Sequence, residues 1–141
     1  MQQVVFTSRG VAESEPARPN WAVISISDVS HGPANLREGW HSVLRLQFYD
    51  REEAVLGLRT FDDDMADTVL WFLRSIEDEV DGVLVHCLAG VSRSAGIAKY
   101  IADVYGLDFP ADYKYFNKLV YHRLKEVAAH QAALRTMPSA G

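Results

Sequence analysis

The sequence predicts a single α/β domain: a central, mostly parallel sheet of four or five strands with helices on both faces. Three observations carry that expectation. Short β-branched, apolar runs alternate with amphipathic stretches along the chain. The 141 residues are one domain's worth and can bury a core without staples. Hydrophobic residues make up 48% and charged residues 23%, a globular composition and not a disordered one.

Each element has its own local reason. Val4–Thr7 is a short strand. Trp21–Ile26 is apolar and β-branched, so it reads as a buried strand. Val43, Leu44, Leu46 and Phe48 mark a third strand. Asp62–Val80 reads as a helix, because Met65, Val69, Phe72, Leu73, Ile76 and Val80 recur at steps of three and four. Asp62, Asp63 and Asp64 stand at its start, where carboxylates cap free N–H groups and favour the helix dipole. Gly82–His86 is a central strand. Ser94–Tyr105 is a helix stopped by Gly106. Two further helices are expected over Pro110–Asn117 and Lys118–Leu134, the latter capped by Asn117 and striped by Val120, Leu124 and Val127. Residues 1–137 read as one domain and Pro138–Gly141 as a frayed tail. Trp21, Trp40 and Trp71 are expected in the core or on a cleft wall.

Charge and cysteine usage narrow the function classes. The net charge is −5, with 9 Lys/Arg against 18 Asp/Glu in residues 1–112 and 5 against 1 in residues 113–141. An acidic body repels nucleic acid and anionic lipid, so neither is expected as a partner. No apolar run approaches the roughly 18 residues of a transmembrane helix, and the first residues lack the features of a signal peptide. One cysteine builds neither a disulfide nor a cysteine-rich zinc site, which favours a reducing cytoplasm. His31, His41, His122 and His130 are scattered without metal spacing, so no metal is expected.

That one cysteine ends a strand and precedes a helix, in the run His86-Cys87-Leu88-Ala89-Gly90-Val91-Ser92-Arg93-Ser94. Crevices at the carboxyl ends of strands are where α/β sheets bind ligands, and the following helix aims its free N–H groups into the loop. Each residue type has a job there. The helix start, the loop amides and a guanidinium all favour the reactive thiolate of Cys87. Leu88, Ala89, Gly90, Val91 and Ser92 can curl their amides inward as an anion nest, with Gly90 supplying a positive φ. Arg93 offers a planar fork for two phosphate oxygens. Ser94 places a hydroxyl near the sulfur, where it supports the thiolate as leaving group. His86 packs behind the loop as support rather than as a base.

Cys, five residues, Arg and Ser, preceded by His, resembles the signature of the cysteine-dependent protein tyrosine phosphatase superfamily, in the small dual-specificity-like form. The resemblance implies a phosphomonoester hydrolase working through a cysteinyl-phosphate, with Cys87 as nucleophile and Arg93 binding phosphate. No cofactor is implied. It also implies an aspartate general acid on a loop upstream. Asp50, which follows the apolar run ending at Phe48, fits that role; Asp62, Asp63 and Asp64 are rivals better read as helix caps. Lipid-directed members tend to carry lysines in the loop, and this loop has none. Phosphorylated protein or peptide, with phosphotyrosine favoured, is therefore the expected partner, and a small phosphorylated metabolite the alternative. Three rivals remain: a rhodanese-like sulfurtransferase, a thiol-dependent arsenate reductase, and a catalytically inactive phosphate-binding module. The first has no need of Arg93 followed by serine, and the second wants further cysteines.

Overall fold

A computed structural model describes residues 1–53 and 55–136. The expected tail, Pro138–Gly141, lies outside them. The elements run β1 (Gln3–Ser8), α1 (Arg9–Ser14), β2 (Trp21–Ser27), β3 (Ser42–Gln47), α2 (Asp63–Ile76), β4 (Gly82–Cys87), α3 (Arg93–Tyr105) and α4 (Lys118–Thr136). The four strands form one sheet in the order β1-β4-β2-β3, parallel throughout. The expected α/β architecture is thus realised with four strands.

The sheet's two faces are covered unequally. Ala22, Ile24 and Ile26 of β2 and Val83, Val85 and Cys87 of β4 share a core with α2, α3 and α4. Val23 and Leu84 point the other way, to Trp21, Ala12 of the short α1, and the partly buried Leu36 and Trp40. Because strand side chains alternate between faces, neighbours in sequence are separated by the sheet. Cys87 therefore looks toward the helical face and His86 away from it.

Packing explains the element boundaries. Leu73, Ile97 and Leu124, one from each large helix, are buried to 2% exposure or less. Burying each such side chain contributes about 1.5–3 kcal/mol. Asp62 caps α2 by accepting the Met65 amide at 2.8 Å. The helix ends at Ile76, four residues short of the expected Val80, because the Glu79 and Val80 amides both turn back to the Ile76 carbonyl. Gly106 closes α3 at φ 66°. Among the described residues no helix is long and apolar enough to cross a membrane.

One expectation is corrected and one element was not anticipated. Pro110–Asn117 is not a helix but a turn followed by irregular chain. Its Pro, Asp, Tyr and Asn residues are poor helix formers, and its chain is held on β1 instead: Tyr113 meets the Phe6 ring edge-on, beside the neighbouring Phe109, which stacks on it. Helix α1 had no expectation. It is six residues long and contains Gly10, and its signal is the Ser8 hydroxyl accepting the Val11 amide at 3.3 Å. Trp71 is 71% exposed and outside the core, and it lines a surface cleft beside Leu44 and Phe72, as the cleft-wall alternative expected.

Candidate active site

The loop from Cys87 to Arg93 joins the carboxyl end of β4 to the start of α3, beside the carboxyl end of β1. Its curvature has a steric cause. Gly90 sits at φ 72°, and a Cβ there would lie 2.3 Å from the Ser8 amide nitrogen and 2.4 Å from the Thr7 carbonyl carbon. Only glycine lets the loop pass this close to the end of β1. The Arg9 amide then donates to the Leu88 carbonyl at 3.2 Å.

Within the curl, Cys87 is 2% exposed and its sulfur has two polar neighbours. The Gly90 amide donates to Sγ at 3.3 Å, and the Ser94 hydroxyl lies 3.2 Å away. The amides of Leu88, Ala89, Val91 and Ser92 make no hydrogen bond to another described residue. Ser92 occupies the N-cap position of α3, yet its hydroxyl does not cap the helix. The first amides of α3 are left open toward the loop. Backbone donors and a helix start facing one space form an anion site.

Arg93 is 6% exposed, so its charge is nearly desolvated. Nη1 donates to the Phe48 carbonyl at 2.9 Å, and this is its only side-chain hydrogen bond among the described residues. The bond anchors the guanidinium at the end of β3 and leaves Nε and Nη2 available to a ligand.

Asp50 follows immediately on that strand end. Its Oδ1 accepts the Ser92 hydroxyl and the Asn117 side-chain amide, each at 2.8 Å. Asn117 is fully buried and also donates to the Arg51 carbonyl at 3.0 Å, while its own Oδ1 caps α4 through the Val120 amide. The structure therefore brings Asp50, Ser92, Arg93, Cys87 and Ser94 to one end of the sheet. It does not bring Asp62 or Asp63 into this group: Asp62 is engaged in capping α2, and Asp63 pairs with Arg123 at 3.1 Å.

His86 lies on the opposite face. Its Nε2 is 2.6 Å from the Ser25 hydroxyl of β2, and the ring is fully buried. Burial pushes its pKa down to about 4, so the imidazole is neutral at neutral pH. Leu88 and Val91 keep exposed side chains at the rim.

Three participants lay beyond the sequence reading. Asn117 was legible as a helix cap but gave no sign of its reach to Asp50, 67 residues away. Tyr113, whose hydroxyl donates to the Val91 carbonyl, carried no local signal. The Phe48 carbonyl is backbone and has no sequence signature. Among the described residues no group of three or more His, Cys, Asp or Glu side chains is arranged to hold a metal.

Neither a protein-family model nor a curated protein matches the sequence. Solved structures do match the fold. Human DUSP28 superposes with a TM-score of 0.62 at 17% identity, over 93% of this chain and 94% of that one. The human tyrosine phosphatase-like serine/threonine/tyrosine-interacting protein gives 0.58 at 17% identity, over 92% and 93%. PTPMT1 gives 0.52 at 17% identity, over 93% and 95%. The chain thus has the α/β fold of the cysteine-dependent tyrosine and dual-specificity phosphatases.

Proposed function

We propose that this protein hydrolyses phosphomonoesters in two steps through a cysteinyl-phosphate at Cys87. The observation that supports the reading is that unpaired loop amides, an open helix start and a buried guanidinium, anchored on the Phe48 carbonyl, all belong to the short loop that begins at Cys87. A tetrahedral dianion matches that donor set.

In the first step the Cys87 thiolate attacks phosphorus in line, and the bond from phosphorus to the leaving oxygen breaks. Amides of residues 88–93 and the free edge of Arg93 hold the other three oxygens. They are preorganised, so little reorganisation is needed as charge shifts. Asp50, as the acid, passes its proton to the departing oxygen. In the second step a water attacks phosphorus, the sulfur–phosphorus bond breaks, and the Asp50 carboxylate takes the water's proton. The Ser94 hydroxyl, 3.2 Å from Sγ, donates to the sulfur as it leaves. Phosphate and free enzyme result.

The favoured substrate is a phosphorylated protein or peptide, phosphotyrosine first. The loop side chains at the rim, Leu88 and Val91, are apolar and exposed, and suit an aryl ring better than a polyanionic headgroup. A small phosphorylated metabolite is the second choice.

Steady-state hydrolysis of a phosphotyrosine peptide, an inositol phosphate and a nucleotide tests the reading. The peptide should be turned over fastest, and Cys87→Ser should abolish turnover while phosphate or vanadate still binds. Phosphate binding without turnover in the wild type would assign a binding module instead. Sulfur transfer from thiosulfate to cyanide without phosphatase activity would assign a sulfurtransferase.

A further inference from the structure

The three large helices enclose a second cleft, remote from Cys87. Its volume is about 520 Å³, within the range of small-molecule sites, and it opens between the later halves of α2, α3 and α4. Arg93 begins α3 and Tyr105 ends it, so the cleft and the anion loop lie toward opposite ends of a 13-residue helix about 18 Å long.

Its lining is amphipathic. Leu70, Leu73 and Val104 supply apolar wall, while Arg74 and Arg135 supply two cations. The one lining carboxylate, Glu77, is already engaged by the Tyr105 hydroxyl. The cleft therefore carries a net positive charge in a protein whose overall charge is −5.

Tyr100 offers the cleft a hydroxyl. It is only 4% exposed and lines this cleft, yet its hydroxyl has no hydrogen-bond partner among the described residues. That hydroxyl is open to the cleft and free to pair with a group that enters it. Arg74 lines the same cleft and gives one guanidinium N–H to the Gln131 side chain, which leaves its other donors for a ligand; its charge works against the rise that burial gives the Tyr100 pKa. A donor hydroxyl and a nearby guanidinium over an apolar wall fit one chemistry: a compact carboxylate with an apolar body.

We infer that the cleft between α2, α3 and α4 is a binding site for a small amphipathic carboxylate, received by Tyr100 and Arg74. The site is independent of phosphate hydrolysis. Its occupant lies against the helix that begins with Arg93.

Calorimetric titration of the full chain with 2-naphthoate and with neutral 2-naphthamide, under saturating inorganic phosphate to occupy the anion loop, tests this. Naphthoate should bind at one site, about tenfold or more tightly than naphthamide, as a charge-assisted hydrogen bond provides. Arg74→Gln should erase that preference. Tyr100→Phe should weaken naphthoate severalfold while leaving the melting temperature unchanged or raised. Absence of naphthoate binding, equal affinity for the amide, or binding indifferent to both substitutions would overturn the inference.

Discussion

Ser92 donates its hydroxyl to Asp50 at 2.8 Å, joining the anion loop to the loop after β3 across 42 residues of sequence. Asn117 donates to the same carboxylate oxygen from the start of α4. Two donors from separate elements thus fix one carboxylate beside the loop that follows Cys87. This arrangement favours Asp50 over the aspartates of α2 in the proposed role of proton donor.

Asp50→Asn should reduce turnover of an alkyl phosphate by about 10²–10⁴-fold, the usual worth of a positioned acid. Turnover of p-nitrophenyl phosphate should fall far less, because its leaving group departs without a proton. The ratio of the two rates is the measurement. An unchanged ratio would remove Asp50 from the mechanism.

Asn117→Ser separates positioning from helix capping. Serine is a good N-cap, so α4 should keep its stability to within about 1 kcal/mol. The amide donated to Asp50 is lost, and the alkyl-to-aryl rate ratio should fall in the same direction as in Asp50→Asn. Asn117→Ala should lower both the ratio and the melting temperature.

Arg93→Lys should weaken inorganic phosphate or vanadate binding by about 10–100-fold, since hydrogen bonds to charged groups contribute about 1.5–3 kcal/mol each. Lysine keeps the charge but supplies neither the fork nor the anchor to Phe48 at the same time. Calorimetric titration of vanadate measures it.

Gly90→Ala should destabilise the fold by more than about 2 kcal/mol, through its positive φ together with the contact on Ser8. Denaturant unfolding reads the loss. An alanine tolerated there would mean that the loop stands off β1.

Stability should also fall on mild acidification. His86 has a folded pKa of about 4 against an ordinary 6.5. The unfolded chain takes up a proton below about pH 6.5 that the folded chain refuses until about pH 4. The contribution is therefore complete above the higher value and is lost as pH falls toward the lower one. It amounts to about 3 kcal/mol at most. His86→Gln should flatten this part of the profile in thermal melts relative to wild type.

The sheet strands and the helices of three or more turns were legible because each buries a stripe with its own period. Met65, Val69, Leu73 and Ile76 mark α2 as plainly in sequence as in structure. The run from His86 to Ser94 was legible because residue types there answer to chemistry rather than to packing. Local patterns failed where tertiary contacts decide. Tyr113 is held by Phe6 and by a loop carbonyl, neither of which its neighbours reveal, and so a helix was expected where a turn stands. Asn117 reads as a cap from sequence, and only the folded chain brings Asp50 to it.

The most direct measurement is rapid acid quench of the wild-type protein with p-nitrophenyl phosphate, followed by peptide mapping. The account predicts a pre-steady-state release of nitrophenol approaching one equivalent per chain, with phosphate bonded to Cys87. Full turnover by Cys87→Ser, with no phosphate recovered on that peptide of the wild type, would contradict it.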